Sequence, residues 1–125
     1  MHPNPAFRQE PSFLNLNLCR QRGFGTLCVN GDPVPMLSHV PFALADDATS
    51  AELHLVRSNP IARAVREPTP AVIAVSGPDA YVSPDWYDTP DQVPTWNYVA
   101  VHLSGMLRPL PVSTMRAHLD KVSEQ

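Results

Sequence analysis

The sequence predicts a mainly β fold, a small antiparallel barrel with helices at its periphery. Three observations carry this. Five apolar runs of similar length, at 24–30, 34–44, 51–57, 70–77 and 96–107, read as strands. Asn30-Gly31-Asp32 between the first two is a tight-hairpin signal, so the early strands pair antiparallel. The order helix, three strands, short helix, strand, aromatic stretch, strand, helix lacks the strict βαβ alternation of a doubly wound sheet. At 125 residues the chain suits one domain with a modest core, and association would help so small a core.

Each element has a local cause. Residues 1–10 form an extended lead-in with Pro3 and Pro5, and Phe7 is placed to pin it to the body. Pro11 fits a first helical turn and Gly23 a C-terminal stop, which predicts a helix over 10–22. Pro35 and Pro41 push the second strand to an edge of the sheet, or require a bulge or break. The third strand alternates, with Leu53, Leu55 and Arg57 on one face and Glu52, His54 and Val56 on the other. Asn59 caps a short helix that Pro60 opens. The last helix, 111–124, places Val112, Met115, Leu119 and Val122 on one apolar stripe.

Composition narrows the function classes. Charged residues make up 17% of the chain and the net charge is −3, with one lysine against eight arginines. Nucleic-acid binding by this stretch is disfavoured, because neutralising phosphates needs clustered cations. Cys19 and Cys28 give neither a disulfide framework nor a metal-ligand spacing. The polar, proline-rich start is no signal peptide, and no apolar run is long enough to span a membrane. A cytoplasmic location is the expectation. Phosphate-loop, dinucleotide-binding and nucleophile-elbow motifs are absent, and no two histidines are spaced as a local metal pair.

Three stretches can carry chemistry. In Ser38-His39-Val40-Pro41-Phe42 a histidine sits among apolar residues; its ring can serve a ligand, or can be a satisfied, partly buried side chain. In His54-Leu55-Val56-Arg57-Ser58-Asn59-Pro60 a strand runs into a helix N-terminus, where free backbone N–H groups favour an anion. Arg57, Ser58 and Asn59 add a guanidinium fork, a hydroxyl and an amide, and Arg63 lies one helical turn on. An ordinary Asn cap beside a solvated Arg explains the same residues. The third stretch, 77–98, holds both tryptophans, all three tyrosines and four of the fifteen prolines. Its rings can stack on a planar ligand or plug a core or interface. Ser83 and Asn97 are small hydrogen-bonding residues that a plug does not need. A phosphate grip with an aromatic wall suits FMN or another phosphorylated aromatic cofactor. For pyridoxal phosphate a Schiff-base lysine is missing, since Lys121 sits in the last helix.

The stretches SHVPFAL, LHLVRSNP, SGPDAYVSPDWY and VPTWNYVAVHLSG, in that order after MHPNPAF, resemble the PaiB family of FMN-binding negative transcriptional regulators. The resemblance runs from Met1 to about Leu119. It implies a split β-barrel related to flavin reductases and pyridoxamine phosphate oxidases, and a homodimer with FMN in a groove between protomers. By matching position, the strand of His39 lines the flavin, and Arg57, Ser58 and Asn59 approach its phosphate. Trp96, Asn97 and Tyr98 belong near the ring or the dimer contact. His54, Arg63 and Ser83 complete the candidate set. Two departures stand out: family members usually continue with a C-terminal region beyond the single domain seen here, and they usually carry a more hydrophilic, glycine-bearing hairpin where this chain has NGDPVP. The functional expectation is an FMN-binding transcriptional repressor, with any DNA contact made through a region not evident here. The alternatives are a flavin-dependent oxidoreductase, or a barrel that has lost its cofactor and persists as a dimerising module.

Overall fold

The computed structural model describes residues 12–82 and 95–123. The expected lead-in at 1–10 with Phe7, the candidate Ser83, and Trp86 and Tyr87 of the aromatic stretch lie outside them. Helix α1 (Ser12–Arg22) precedes β1 (Phe24–Val29), β2 (Met36–Leu44), β3 (Ala51–Leu53), α2 (Pro60–Ala64), β4 (Thr69–Val82) and β5 (Thr95–Leu107). A 3-10 turn (Val112–Thr114) then leads into α3 (Met115–Ser123). The strands form one curled antiparallel half-barrel in the order β3-β2-β1-β4-β5, in keeping with a split barrel.

Strand alternation sets the inner face. Leu27, Val29, Val40, Phe42, Ile73, Val75 and Val101 are buried there. Cys19 of α1 and Ile61 and Val65 at α2 close over them. Each fully buried aliphatic or aromatic side chain contributes about 1.5–3 kcal/mol relative to exposure. Gly25 lies inside this layer for a steric reason: a Cβ there would stand 2.8 Å from the Ala74 carbonyl oxygen, so no other residue lets β4 approach β1 this closely. Gly23, at φ 55°, ends α1 as expected, with its N–H on the Cys19 carbonyl at 2.9 Å. Arg20 reaches across to the β2–β3 turn and donates to the carbonyls of Ala45 (3.1 Å) and Asp46 (3.2 Å).

Several elements differ from expectation. Strand β2 is not at the sheet edge, since β1 and β3 flank it. Pro41 is tolerated because the Phe42 N–H points to the Gly23 carbonyl, so position 41 faces the other way. There β3, which pairs only with Phe42, Ala43 and Leu44, no longer covers the strand. The third strand stops at Leu53 rather than running to Arg57. The turn after β1 spans 30–35 and is longer than a two-residue hairpin. The aromatic stretch begins inside the sheet: β4 continues through Gly77 with an irregularity between Ser76 and Asp79, and pairs with β5 as far as Val82↔Thr95. The apolar stripe of the last helix is packed only in part, with Val122 half-buried. Val112 is 76% exposed and Leu119 42%, while the buried residue of α3 is His118.

Burial pushes the Cys19 thiol above its ordinary pKa by disfavouring the thiolate. Cys28 is only partly buried and lies on the opposite face of β1 from Leu27. A thiol reagent near neutral pH is therefore expected to label Cys28 first and Cys19 only on unfolding. Peptide mapping of the labelled protein in buffer and in urea checks this.

Candidate functional site

The early end of β3 opens the region that gathers His39, Arg57, Ser58 and Asn59. Between Met36 and Pro41 only the β1 side of β2 is paired. By the antiparallel register the backbone N–H and C=O of Leu37 and His39 point away from β1, toward this open edge. His39 itself is exposed on the outer face, opposite Thr26, whose hydroxyl lies 3.1 Å from its Nδ1. The same row continues across the sheet through Ala74 to His102. Alternation along β5 brings the half-exposed Tyr98 ring to that face as well. The outer face thus carries His39, His102 and Tyr98, with exposed Phe24, Leu37 and Met106 around them.

The segment 54–59 returns beneath β2 on the inner side. Asn59 caps α2: its Oδ1 accepts from the Ile61 N–H at 2.9 Å. Its Nδ2 donates to the Ser38 Oγ at 3.0 Å. That second bond ties the Arg57-Ser58-Asn59 turn to the residue next to His39. The two stretches read as separate signals are therefore neighbours, on opposite faces of one strand. Arg57 and Ser58 are exposed at this turn, and Arg63 is exposed on α2. The Asn59 amide makes both of these bonds within the fold, so it fixes the turn, with one N–H and one oxygen lone pair left over. An exposed guanidinium fork and a hydroxyl beside exposed backbone suit a phosphate monoester. Backbone donors and acceptors on an open edge suit the polar rim of a planar heterocycle.

Other candidates are placed differently. His54 leaves the sheet after β3 and lines an open groove of about 840 Å³ between β3 and β5, with Leu53, Leu55, Leu103 and Leu107. There its Nδ1 meets the Nε2 of His118 at 2.9 Å. The backbones of Trp96 and Asn97 lie in β5 opposite Tyr81 and Ala80. The sequence reading missed Ser38 as a partner of Asn59, and it missed His102 and His118. Only the period-2 position of His102 relative to Tyr98 was available as a signal. Among the described residues no three metal-ligating side chains converge, and no helix is long and apolar enough to cross a membrane.

A family model described as "Putative FMN-binding domain" matches residues 1–125. The chain belongs to this FMN-binding domain family. It is 34% identical over 91 residues to "Protease synthase and sporulation protein PAI 2" of Bacillus subtilis, a match covering 71% of this chain and 44% of that protein. It is 32% identical over 78 residues to "Uncharacterized protein YKL070W" of Saccharomyces cerevisiae, covering 57% of this chain and 46% of that protein. The matches thus span under half the length of each of these relatives. The PaiB-type resemblance of the sequence is shown by these matches.

Asn59→Ala is expected to destabilise the domain by about 1–2 kcal/mol, through loss of the cap and of the Ser38 partner. Asn59→Asp retains the cap oxygen and recovers part of that loss. Urea denaturation of the three proteins measures both effects.

Proposed function

We propose that the domain binds FMN across the open edge of β2 and acts, as the PaiB type implies, in negative transcriptional regulation. The observation that carries this reading is the family match across 1–125. The chemistry of the β2 edge supports it. Arg57 and Ser58 would hold the phosphate, with the Asn59–Ser38 bond fixing their turn. The backbone of Leu37 and His39 would meet the polar rim of the ring system, and Tyr98, on β5 three strands away, would reach the flat side from a second copy. Trp96 and Asn97 belong to the same end of β5. His54, hydrogen-bonded to His118 on the groove side, and the exposed Arg63 stand further from this edge in the reading. Bound FMN supplies reversible one- and two-electron chemistry; the protein orients it and limits water at its ring.

The outer face supports a second copy as the partner. Leu37 is 63% exposed and Met106 61%, on the same face as Phe24 and Tyr98. A homodimer would cover this apolar surface and enclose a flavin lying on the β2 edge. Any DNA contact belongs to a region beyond the described surface, and among the described residues no side chain favours the oxidoreductase reading.

Arg57→Ala is expected to weaken FMN by about tenfold or more while changing riboflavin little, because only FMN carries the phosphate. Fluorescence titration with both flavins decides it, and equal losses for the two would remove Arg57 from the phosphate. Leu37→Arg is expected to shift the protein toward monomer in light scattering and to lower flavin retention together with it.

A further inference from the structure

Helix α3 makes polar contacts with the β3 region. Its buried residue is His118, 5% exposed, while Met115 and Leu119 remain 39% and 42% exposed. The Nε2 of His118 meets the Nδ1 of His54 at 2.9 Å. The ring centroids are 5.1 Å apart, longer than the N···N distance by about two ring radii, so the rings meet nearly end-on along one shared proton. A metal between them would require the two lone pairs to converge at an angle. On its other side the His118 Nδ1 lies 3.5 Å from Glu52 Oε2. That is close enough for charge attraction, but it leaves this buried nitrogen without a hydrogen-bond partner. Lys121, one turn further on, reaches both Glu52 oxygens at 3.3 Å.

We propose that Glu52, His54 and His118 form a proton-operated clasp, which holds α3 against the groove and releases it on acidification. The proposal does not depend on flavin binding. With both rings neutral, one donates to the other. One added proton strengthens the clasp: His118 then donates to His54 and presents a charged N–H to Glu52. A second proton removes the only acceptor, and N–H faces N–H between two like charges. Histidine is the side chain that changes charge between about pH 5 and 8.

Among the described residues, Glu52 is the one acidic side chain lining the groove beside the pair. Helix α3 also packs on β2, whose one titratable residue, His39, is engaged with Thr26 on the outer face. Lys121 already shares Glu52, Arg108 borders the groove from the end of β5 as a fixed cation, and Arg63 on α2 is exposed. Release of α3 would withdraw Met115 and His118 from the wall of the groove, which Leu53, Leu103 and Leu107 also line. The clasp thus couples pH to the shape of an apolar groove.

Amide hydrogen exchange, corrected for intrinsic rates, tests the proposal in the wild-type protein at about pH 7.5 and about pH 5. The expected result is exchange at 115–123 faster by about tenfold or more at the lower pH, with β1 and β4 unchanged. His54→Gln keeps an acceptor for His118 Nε2–H at every pH, and is expected to abolish the pH response while leaving α3 protected. Equal protection of α3 at both pH values overturns the clasp, as does loss across the whole sheet or an unchanged response in the variant. If the variant fails to fold, ring-nitrogen NMR of the wild-type protein decides. Two histidines titrating in coupled steps, with the α3 amide shifts following the second, support the proposal; independent titration overturns it.

Discussion

The stopping of β3 after three residues is the constraint on which the rest of the molecule depends. It leaves one side of β2 unpaired from Met36 to Pro41, and so gives Pro41 a place where no donor is demanded. It frees His54 to leave the sheet and meet α3. It also gives the chain room to turn back, so that Asn59 can reach Ser38. An edge strand of full length would have sealed this side and removed each of these contacts. Exposed sheet edges are a hazard that proteins usually blunt. Here the edge is short, ends at a proline and is flanked by a capped helix.

The two faces of β2 then do different work. Inward, Val40 and Phe42 anchor the core and Ser38 fixes the Arg57–Asn59 turn. Outward, His39 stands in a row with Thr26 and His102, among side chains that remain apolar and exposed. A ligand lying along the edge would touch both faces, which is how a phosphate grip and a ring surface far apart in sequence come to serve one molecule. The groove on the inner side is a separate feature between β3 and β5, walled in part by α3 and taking only Leu44 from β2.

Much of the architecture was legible in the sequence because it rests on local signals. Apolar runs located all five strands, Gly23 ended α1, and Asn59-Pro60 opened α2. The failures share one cause, that tertiary partners decide where a local pattern stops. Alternation through Val56 looked like continued strand, but nothing pairs with it beyond Leu53. The apolar stripe of α3 matched the helical period, yet the buried position went to His118, whose partners His54 and Glu52 lie over sixty residues earlier. At the site, Arg57 to Asn59 were legible as a cap beside a cation. That Asn59 spends its second group on Ser38 was not, because that bond depends on how the sheet curls.

The bonds from Arg20 to the carbonyls of Ala45 and Asp46 carry a consequence for the edge itself. The turn joining β2 to β3 is braced from a helix twenty-five residues upstream, on the far side of the hairpin it serves. The open edge is therefore not a module that could be lifted out as a peptide or grafted with its own two strands. Its shape is a property of α1 and the sheet together. Sequence drift at Arg20 would act on that edge at a distance, without touching any residue that borders it.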